Sequence, residues 1–417
     1  MSYLQDMNVA VDGGWLWERL NALAAIGGRQ DGGVSRSALS EGERQAIGLI
    51  AGWADELGCR IFSDAIGNVF VRRDGIEDLP PVVTGSHIDT QPVGGRYDGT
   101  YGVVAGLATI EALHRTGTLH RRPIEVVAWT NEEGSRFAPG AMGSAAFMGF
   151  EDVDVLRERR DCDGVSLGKE LDRNLAALES LGAEQRAFGM PFHAFVEAHI
   201  EQGPLLEEAE TPIGIVEGVQ GLAWYRFDVE GVAAHAGTTP LEGRHDAFLG
   251  ASELAANLRQ AAIKASPQVR FTIGRFEVLP GSPNTIPNHV GFFVDLRHFA
   301  PDVLDGLHRI FTDLCNGVWQ GCTISMSRQM RIEPVQFSQM VTNELEVSAR
   351  RLKVPFTRLR SGAFHDAAHL AAHCPTSMLF IPCKNGISHH PDESIKFSDA
   401  EIGGRVLAHS VLSLANS

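Results

Sequence analysis

Several familiar signatures are missing from this chain, and each absence narrows what it can be. No run of about 18 apolar residues occurs, which argues against a membrane-spanning helix. The opening M-S-Y-L-Q-D-M-N has no basic segment leading into an apolar one, so no secretory signal is expected. Positive charge is in deficit: 36 Lys+Arg against 52 Asp+Glu give a formal net charge of −16. That balance opposes binding to nucleic acid or to an anionic membrane, and an anionic small substrate would need a local Arg. The six cysteines (Cys59, Cys162, Cys315, Cys322, Cys374 and Cys383) form no C-x-x-C pair. Such dispersion fits reduced thiols in a cytoplasmic protein better than a zinc ribbon or a disulfide frame. Repeats with a period of about 20–50 residues and low-complexity tracts are also missing.

At 417 residues the chain exceeds what one hydrophobic core usually organises, so two domains are expected. Its first half alternates helical and strand patterns. Ile47, Leu49, Ile50 and Trp53 form one apolar helical stripe, and Val103, Val104, Leu107, Ile110 and Leu113 form another. Short buried-strand runs lie at Pro81-Val82-Val83-Thr84, at Ile124 to Thr130 and at Phe195 to Ala198, each followed at once by polar residues. This alternation predicts an α/β fold, a mostly parallel sheet flanked by helices. Near residue 214 the pattern changes. Strand material over Ile213 to Gly231 is followed by a helix over Ala247 to Ala262 and strands at Arg270–Val278 and Val290–His298. A helix over Val303–Val318 and a strand near Thr323–Ile332 complete a small two-layer α+β unit. The apolar run within Pro375–Pro382 reads as a strand returning to the first sheet. We therefore expect residues 1–213 and 331–417 to form a discontinuous catalytic domain, with 214–330 inserted as a lid or dimerisation domain.

Metal-ligand residue types stand in short phrases punctuated by glycine or proline. They are His87, Asp98, the doublet Glu132-Glu133, His199 and one of His389 or His390. Three imidazoles and two or three carboxylates are what two zinc-like cations need, one carboxylate being free to bridge. His87 and Asp89 flank one residue, so a strand end would turn both to the same side, with Asp89 able to fix the imidazole tautomer. Asp98 sits just beyond Gly94 and Gly95, in a loop able to approach a metal closely. Adjacent carboxylates repel, a penalty that a cation removes, and Glu132-Glu133 divides naturally into a ligand and a general base. Each residue alone has a bland alternative as a surface His, a solvated loop carboxylate or a core group. Arg297 could hold a substrate carboxylate bidentately, or simply pair with Asp295. Asn284 and His235 occupy loops bounded by Pro or Gly, where a capping Asn and a solvent-facing His are the ordinary readings.

The phrases G-S-H-I-D-T-Q-P-V-G-G-R-Y-D-G, T-N-E-E-G-S-R-F, H-I-E-Q-G-P-L-L-E, A-H-A-G-T-T-P, P-N-T-I-P-N, D-L-R and S-H-H-P-D-E together resemble one family. This is the amidase/hydantoinase/carbamoylase family of the di-zinc aminopeptidase/aminoacylase superfamily. It contains N-carbamoyl-amino-acid amidohydrolases, β-ureidopropionase-like enzymes and allantoate amidohydrolases. The phrases run in family order from about residue 80 to 395, across both expected domains. The resemblance implies metal ligands at His87, Asp98 (bridging), Glu133, His199 and His389, with Glu132 as the base. It selects His389 over His390. The peptidase branch usually has a carboxylate where this chain has His199, which favours the amidohydrolase branch.

By the same resemblance, His235 would stabilise the oxyanion from across a homodimer interface, and Gln202 would face the ureido group. Asn284 and Arg297 would hold the substrate's carbonyl and carboxylate. The implied cofactors are two divalent metal ions, zinc first, with manganese, cobalt or nickel also possible. The implied substrate is a small carboxylate-bearing ureido compound, an N-carbamoyl amino acid. Allantoate or ureidoglycolate is the alternative, and a dipeptidase or N-acyl deacylase activity fits less well. From a different class, a catalytically dead metal-binding scaffold would bind metal without releasing ammonia. The chain departs from the family at Phe364, which replaces the second Gly of the usual S-G-A-G-H-D-A and is expected to narrow the pocket or shift its loop. Leu241 stands where Met is usual after T-T-P, a nearly volume-conserving change.

Overall fold

The computed structural model describes residues 10–417, so the phrase M-S-Y-L-Q-D-M-N lies outside the described residues. In chain order the strands are β1 (Arg60–Ser63), β2 (Val69–Arg73), β3 (Val82–His87), β4 (Ile124–Trp129), β5 (Glu184–Gln185), β6 (Ala194–Ile200) and β7 (Ile213–Val219). They continue as β8 (Gly221–Glu230), β9 (Ala234–His235), β10 (Arg270–Leu279), β11 (Thr285–Ile286), β12 (His289–His298) and β13 (Thr323–Ile332). The last three are β14 (Val335–Gln336), β15 (Phe356–Ser361) and β16 (Thr376–Ile381). The chain forms two units, one of residues up to Gly218 together with Gln336–Ser417, the other Val219–Val335.

The first unit is built on a ten-stranded sheet in the order β14-β7-β16-β6-β3-β4-β2-β1-β5, with β15 paired to β7. Its centre, β16-β6-β3-β4, is parallel. Every residue of these four strands is buried, as expected for strands covered on both faces. The helix Thr100–Thr116 is buried from Thr100 to Leu113, more completely than a single apolar stripe would suggest. The helix Phe397–Ala415 buries Val406, Leu407, Val411 and Leu412 in the same core.

The second unit has a four-stranded antiparallel sheet, β10-β12-β8-β13. Burial alternates along β8, because one face packs on a core and the other does not. The helices Ala247–Ala265 and Pro301–Cys315 bury Leu254, Leu258, Leu304, Leu307 and Phe311 against Tyr225, Phe227, Phe292 and Val294. The second helix ends at Cys315, short of the expected Val318, where Gly317 follows.

Both boundaries of the inserted unit lie a few residues beyond the expected ones. The strand material from Ile213 to Gly231 is two strands, β7 and β8, interrupted at Gln220. β7 pairs antiparallel with β16 in the large sheet, so a cut at 213/214 would split that sheet. The units divide at 218/219 and 335/336 instead. All six cysteines are free, and among the described residues no helix is long and apolar enough to cross a membrane.

Candidate metal centre

The parallel strands bring chemistry to one edge of the sheet, the carboxyl end, where α/β sheets hold ligands. His87 is the last residue of β3, His199 lies one residue from the end of β6, and Glu132-Glu133 follow β4 by a short turn. His389 lies in the segment after β16, and Asp98 immediately precedes the Gly99 that caps the helix Thr100–Thr116. That Gly99 has φ 62°, and a Cβ there would meet the His87 Nε2 at 2.3 Å, so only glycine lets the loop pass so close to the imidazole. Gly95 is constrained similarly, because a Cβ would overlap the Glu393 carboxylate. Glu393 Oε1 accepts the N–H groups of Tyr97 (2.8 Å) and Asp98 (3.1 Å), fixing the Asp98 loop from the H-H-P-D-E segment.

Both buried imidazoles are held in one tautomer. The Nδ1 of His87 donates to the carbonyl of Asp89 at 2.9 Å, and the Nδ1 of His199 donates to that of Ile200 at 2.8 Å. The expected orienting group for His87 was the Asp89 carboxylate, which lies farther away at 3.5 Å. That carboxylate is occupied differently: its two oxygens accept the N–H groups of Glu132 and Glu133, each at 3.2 Å, and so aim the doublet. Asn131, at φ 53°, supports the same turn by donating to the carbonyl of Phe137.

With Nδ1 committed in His87 and His199, their Nε2 atoms turn lone pairs toward carboxylates, and His389 Nε2 joins them. His199 Nε2 lies 3.1 Å from Asp98 Oδ1, His389 Nε2 lies 3.0 Å from Asp98 Oδ2, and His87 Nε2 lies 3.5 Å from Glu132 Oε2. Glu133 Oε2 stands 3.5 Å from His389 Nε2. Such pairs repel unless a proton or a cation sits between them. Two donor groups result, His87–Asp98–His199 and Asp98–Glu133–His389, the donor atoms within each lying no more than 4.8 Å apart. Asp98 belongs to both. This imidazole and carboxylate set fits divalent cations of the zinc type.

The electrostatics follow from burial and crowding. Burial raises the pKa of Glu132 well above the usual carboxylate range, with Asp366, Glu133 and Asp89 adding to it against His87. Glu133 is raised mainly by burial and then by Asp98. Burial would also raise Asp98, but hydrogen bonding with His199 and His389 holds it well below the ordinary value. The hydrogen bond to Asp98 lifts His389 to about 9.

Gln202, at φ 57°, places its amide nitrogen 3.1 and 3.0 Å from the two Asp98 oxygens and 3.4 Å from His389 Nε2. A partly positive N–H group thus lies against the carboxylate that the two donor groups share. Its expected partner was a ureido group; within the protein it is tied to the shared carboxylate.

Sequence reasoning passed over several neighbours. His365 packs its ring 4.6 Å from that of His199, and with Glu197 and His199 it makes a third donor group. Asp366 accepts from Ser144 Oγ at 2.5 Å, and the same hydroxyl meets His369 Nδ1 at 2.9 Å. The signal was present in the phrase around Phe364, whose His-Asp pair was given no role. Phe364 itself is half-buried, its ring 5.0 Å from His369.

His235, Asn284 and Arg297 belong to the second unit. The short ladder of β9 and β11 pairs His235 with Thr285, beside Asn284, whose carbonyl accepts the N–H of Ala236 at 3.0 Å. His235 Nδ1 accepts the N–H groups of Gly237 (3.0 Å) and Thr238 (3.2 Å), which leaves Nε2 as the protonated, donating nitrogen of the neutral ring. Arg297, on β12, grips Asp295 through Nε (2.9 Å) and Nη2 (3.0 Å), and Trp224 Nε1 anchors the same carboxylate.

Residues 83–413 match the family described as Peptidase family M20/M25/M40. The chain is similar to an N-carbamoyl-L-amino acid amidohydrolase of Geobacillus stearothermophilus, 36% identical over 408 residues, covering 97% of this chain and 99% of the relative. It is also similar to an allantoate amidohydrolase of Bacillus subtilis, 34% identical over 396 residues, covering 94% and 95% respectively. A crystal structure of an amidase of the hydantoinase/carbamoylase family from Burkholderia multivorans superposes with a TM-score of 0.90 at 41% identity, covering 98% of this chain and 99% of that one. The chain belongs to peptidase family M20/M25/M40, within it to the hydantoinase/carbamoylase amidases, and is a hydrolase of carbon–nitrogen bonds in linear amides.

Proposed function

We propose that this enzyme hydrolyses the ureido carbon–nitrogen bond of N-carbamoyl-L-amino acids, giving the free amino acid, ammonia and carbon dioxide. The observation that carries the reading is the meeting of two donor groups at Asp98 with Glu132 beside them. Similarity over nearly the whole chain to a relative described as an N-carbamoyl-L-amino acid amidohydrolase supports the choice of substrate.

We assign His87, Asp98 and His199 to one divalent cation and Asp98, Glu133 and His389 to a second. Zinc is the first candidate; manganese, cobalt and nickel suit the same donors. When bound, such cations make water more acidic and polarise a carbonyl. Glu132, aimed by Asp89 and alone of the doublet facing His87, accepts the proton of the attacking water and returns it to the departing ammonia. The carbamate left behind loses carbon dioxide to give the amino acid. Gln202, beside Asp98, is assigned to the ureido group. His235 is assigned to the oxyanion through its donating Nε2, a single such donor being worth about 3 kcal/mol. Asn284 and Arg297 are assigned to the substrate's carbonyl and carboxylate, Phe364 to the limit on substrate size, and the second unit to homodimer formation. Full activity in a sedimenting monomer would remove the dimer from this account.

Similarity to the allantoate amidohydrolase favours allantoate as the second reading. Ammonia release should be measured over several N-carbamoyl-L-amino acids, N-carbamoyl-β-alanine and allantoate. Fastest turnover of an N-carbamoyl-L-amino acid is expected. Release from allantoate alone would move the assignment to it, and release from none would end both.

A further inference from the structure

We propose that Arg36 is a positioning residue for the candidate metal centre, one guanidinium that fixes the distance between the strand end carrying His87 and the loop carrying Asp98. The inference rests on reading that centre as a divalent-cation site.

Arg36 lies in the phrase G-V-S-R-S and is 1% exposed. Its Nε donates at 2.8 Å to the carbonyl of Ile88, the residue between His87 and Asp89. Its Nη2 donates at 3.1 Å to the hydroxyl of Thr100, which opens the helix just after Asp98 and Gly99. Its Nη1 donates to the carbonyls of Leu23 (2.6 Å) and Ile26 (3.1 Å), at the end of the helix Gly13–Ala25. The backbone repeats the link, the N–H of Arg36 donating to Thr90 Oγ1 and the N–H of Thr90 donating to the Arg36 carbonyl, both at 2.9 Å. One side chain thus joins three elements, and two of them carry candidate ligands.

Among the described residues no carboxylate pairs directly with this guanidinium; Glu43 and Asp89 act on it only at a distance. Burial lowers its pKa to about 10, which keeps it charged at neutral pH. Burying a charge without a close counter-ion is costly, and an apolar side chain of similar volume often serves stability as well or better. What an apolar chain or a lysine cannot supply is a rigid planar fork reaching separate acceptors at once. Ligand-bearing loops need such a brace, since groups that orient metal ligands typically change affinity by about 10–100-fold when removed.

The test compares zinc affinity, measured by competition with a chromophoric chelator, with thermal unfolding of the metal-free protein. Thr100→Val removes one acceptor of the fork and keeps the side-chain shape; Arg36→Lys keeps the charge and loses the fork. Arg186→Lys is the control, because Arg186 is a half-buried arginine that pairs with Glu125 at 2.9 Å and covers Phe70, away from the ligand loops. Both test variants should weaken zinc binding about 10–100-fold. Thr100→Val should unfold near the wild-type temperature, whereas Arg186→Lys should lose stability and keep zinc affinity. Wild-type zinc affinity in Thr100→Val, with Arg36→Lys either unchanged or unable to fold, would overturn the proposal, as would affinity losses that merely track the unfolding temperature in all three variants. A wild-type protein that takes up no zinc would instead remove the metal reading itself, and the inference with it.

Discussion

The two units treat polar side chains in opposite ways. In the first, His87, Asp89, Asp98, Glu197, His199, His365 and Asp366 are all buried. In the second, the only buried polar or charged residues among those described are Gln220, Asp246 and His298, and two of these do local work. Asp246 caps a helix, and His298 bonds Ser266 and the N–H of Ala300. The candidate substrate residues of the second unit, His235, Asn284 and Arg297, are exposed or half-buried on turns and on a sheet face. Buried charge is expensive wherever it is not matched. Where histidines and carboxylates gather at the carboxyl end of the parallel strands, this fold gives up stability for chemistry, while the second unit is an ordinary amphipathic sheet with helices on one side.

Four substitutions test that contrast. The largest expected effect is on catalysis in the first unit: Glu132→Gln should lower kcat by about 10²–10⁴-fold while metal content stays that of the wild type. Near-normal turnover would transfer the base to another group. Next is stability in the second unit, where Phe227 is fully buried, stacked on Phe292 at 4.9 Å and edge-on to Phe311 at 6.2 Å. Phe227→Ala should cost about 3–5 kcal/mol in denaturant unfolding. It should do so without lowering metal affinity in the folded fraction; a parallel loss of metal would blur the division drawn between the units. Arg297→Ala should raise KM for carboxylate-bearing substrates by about 10–100-fold, the worth of a charge-assisted bond, with kcat changed less. Unchanged kinetics would remove Arg297 from substrate binding. Phe364→Gly should be the mildest, favouring bulkier substrate side chains by about ten-fold relative to small ones. An unaltered preference would place the ring outside the substrate's reach.

Much of the first unit can be read from short phrases because its signals are local. An apolar run ending in Gly-Ser-His, or in Trp-Thr-Asn-Glu-Glu, announces a parallel strand and its active end together. The division of β7 from β8 was not legible, since both read as strand and nothing about Gln220 in sequence says that the chain changes sheets there. Arg36 was equally silent. An arginine in a Gly-Val-Ser-Arg-Ser loop looks like surface until Ile88 and Thr100 come to it from 52 and 64 residues away. The Asp89 carboxylate has further partners that were hidden for a related reason. Spacing puts it near His87, but only the folded turn shows that the N–H groups of Glu132 and Glu133 reach it first. In the second unit, alternating burial made the strands visible, and the tautomer of His235 came only from the turn that folds Gly237 and Thr238 over it.

The most direct test of the whole account is ammonia release from an N-carbamoyl-L-amino acid, followed with metal content, as the protein is exhaustively chelated and then titrated with zinc or manganese. Activity should vanish with the metal and return as about two equivalents are restored. Undiminished turnover in fully stripped protein would contradict a centre built on Asp98.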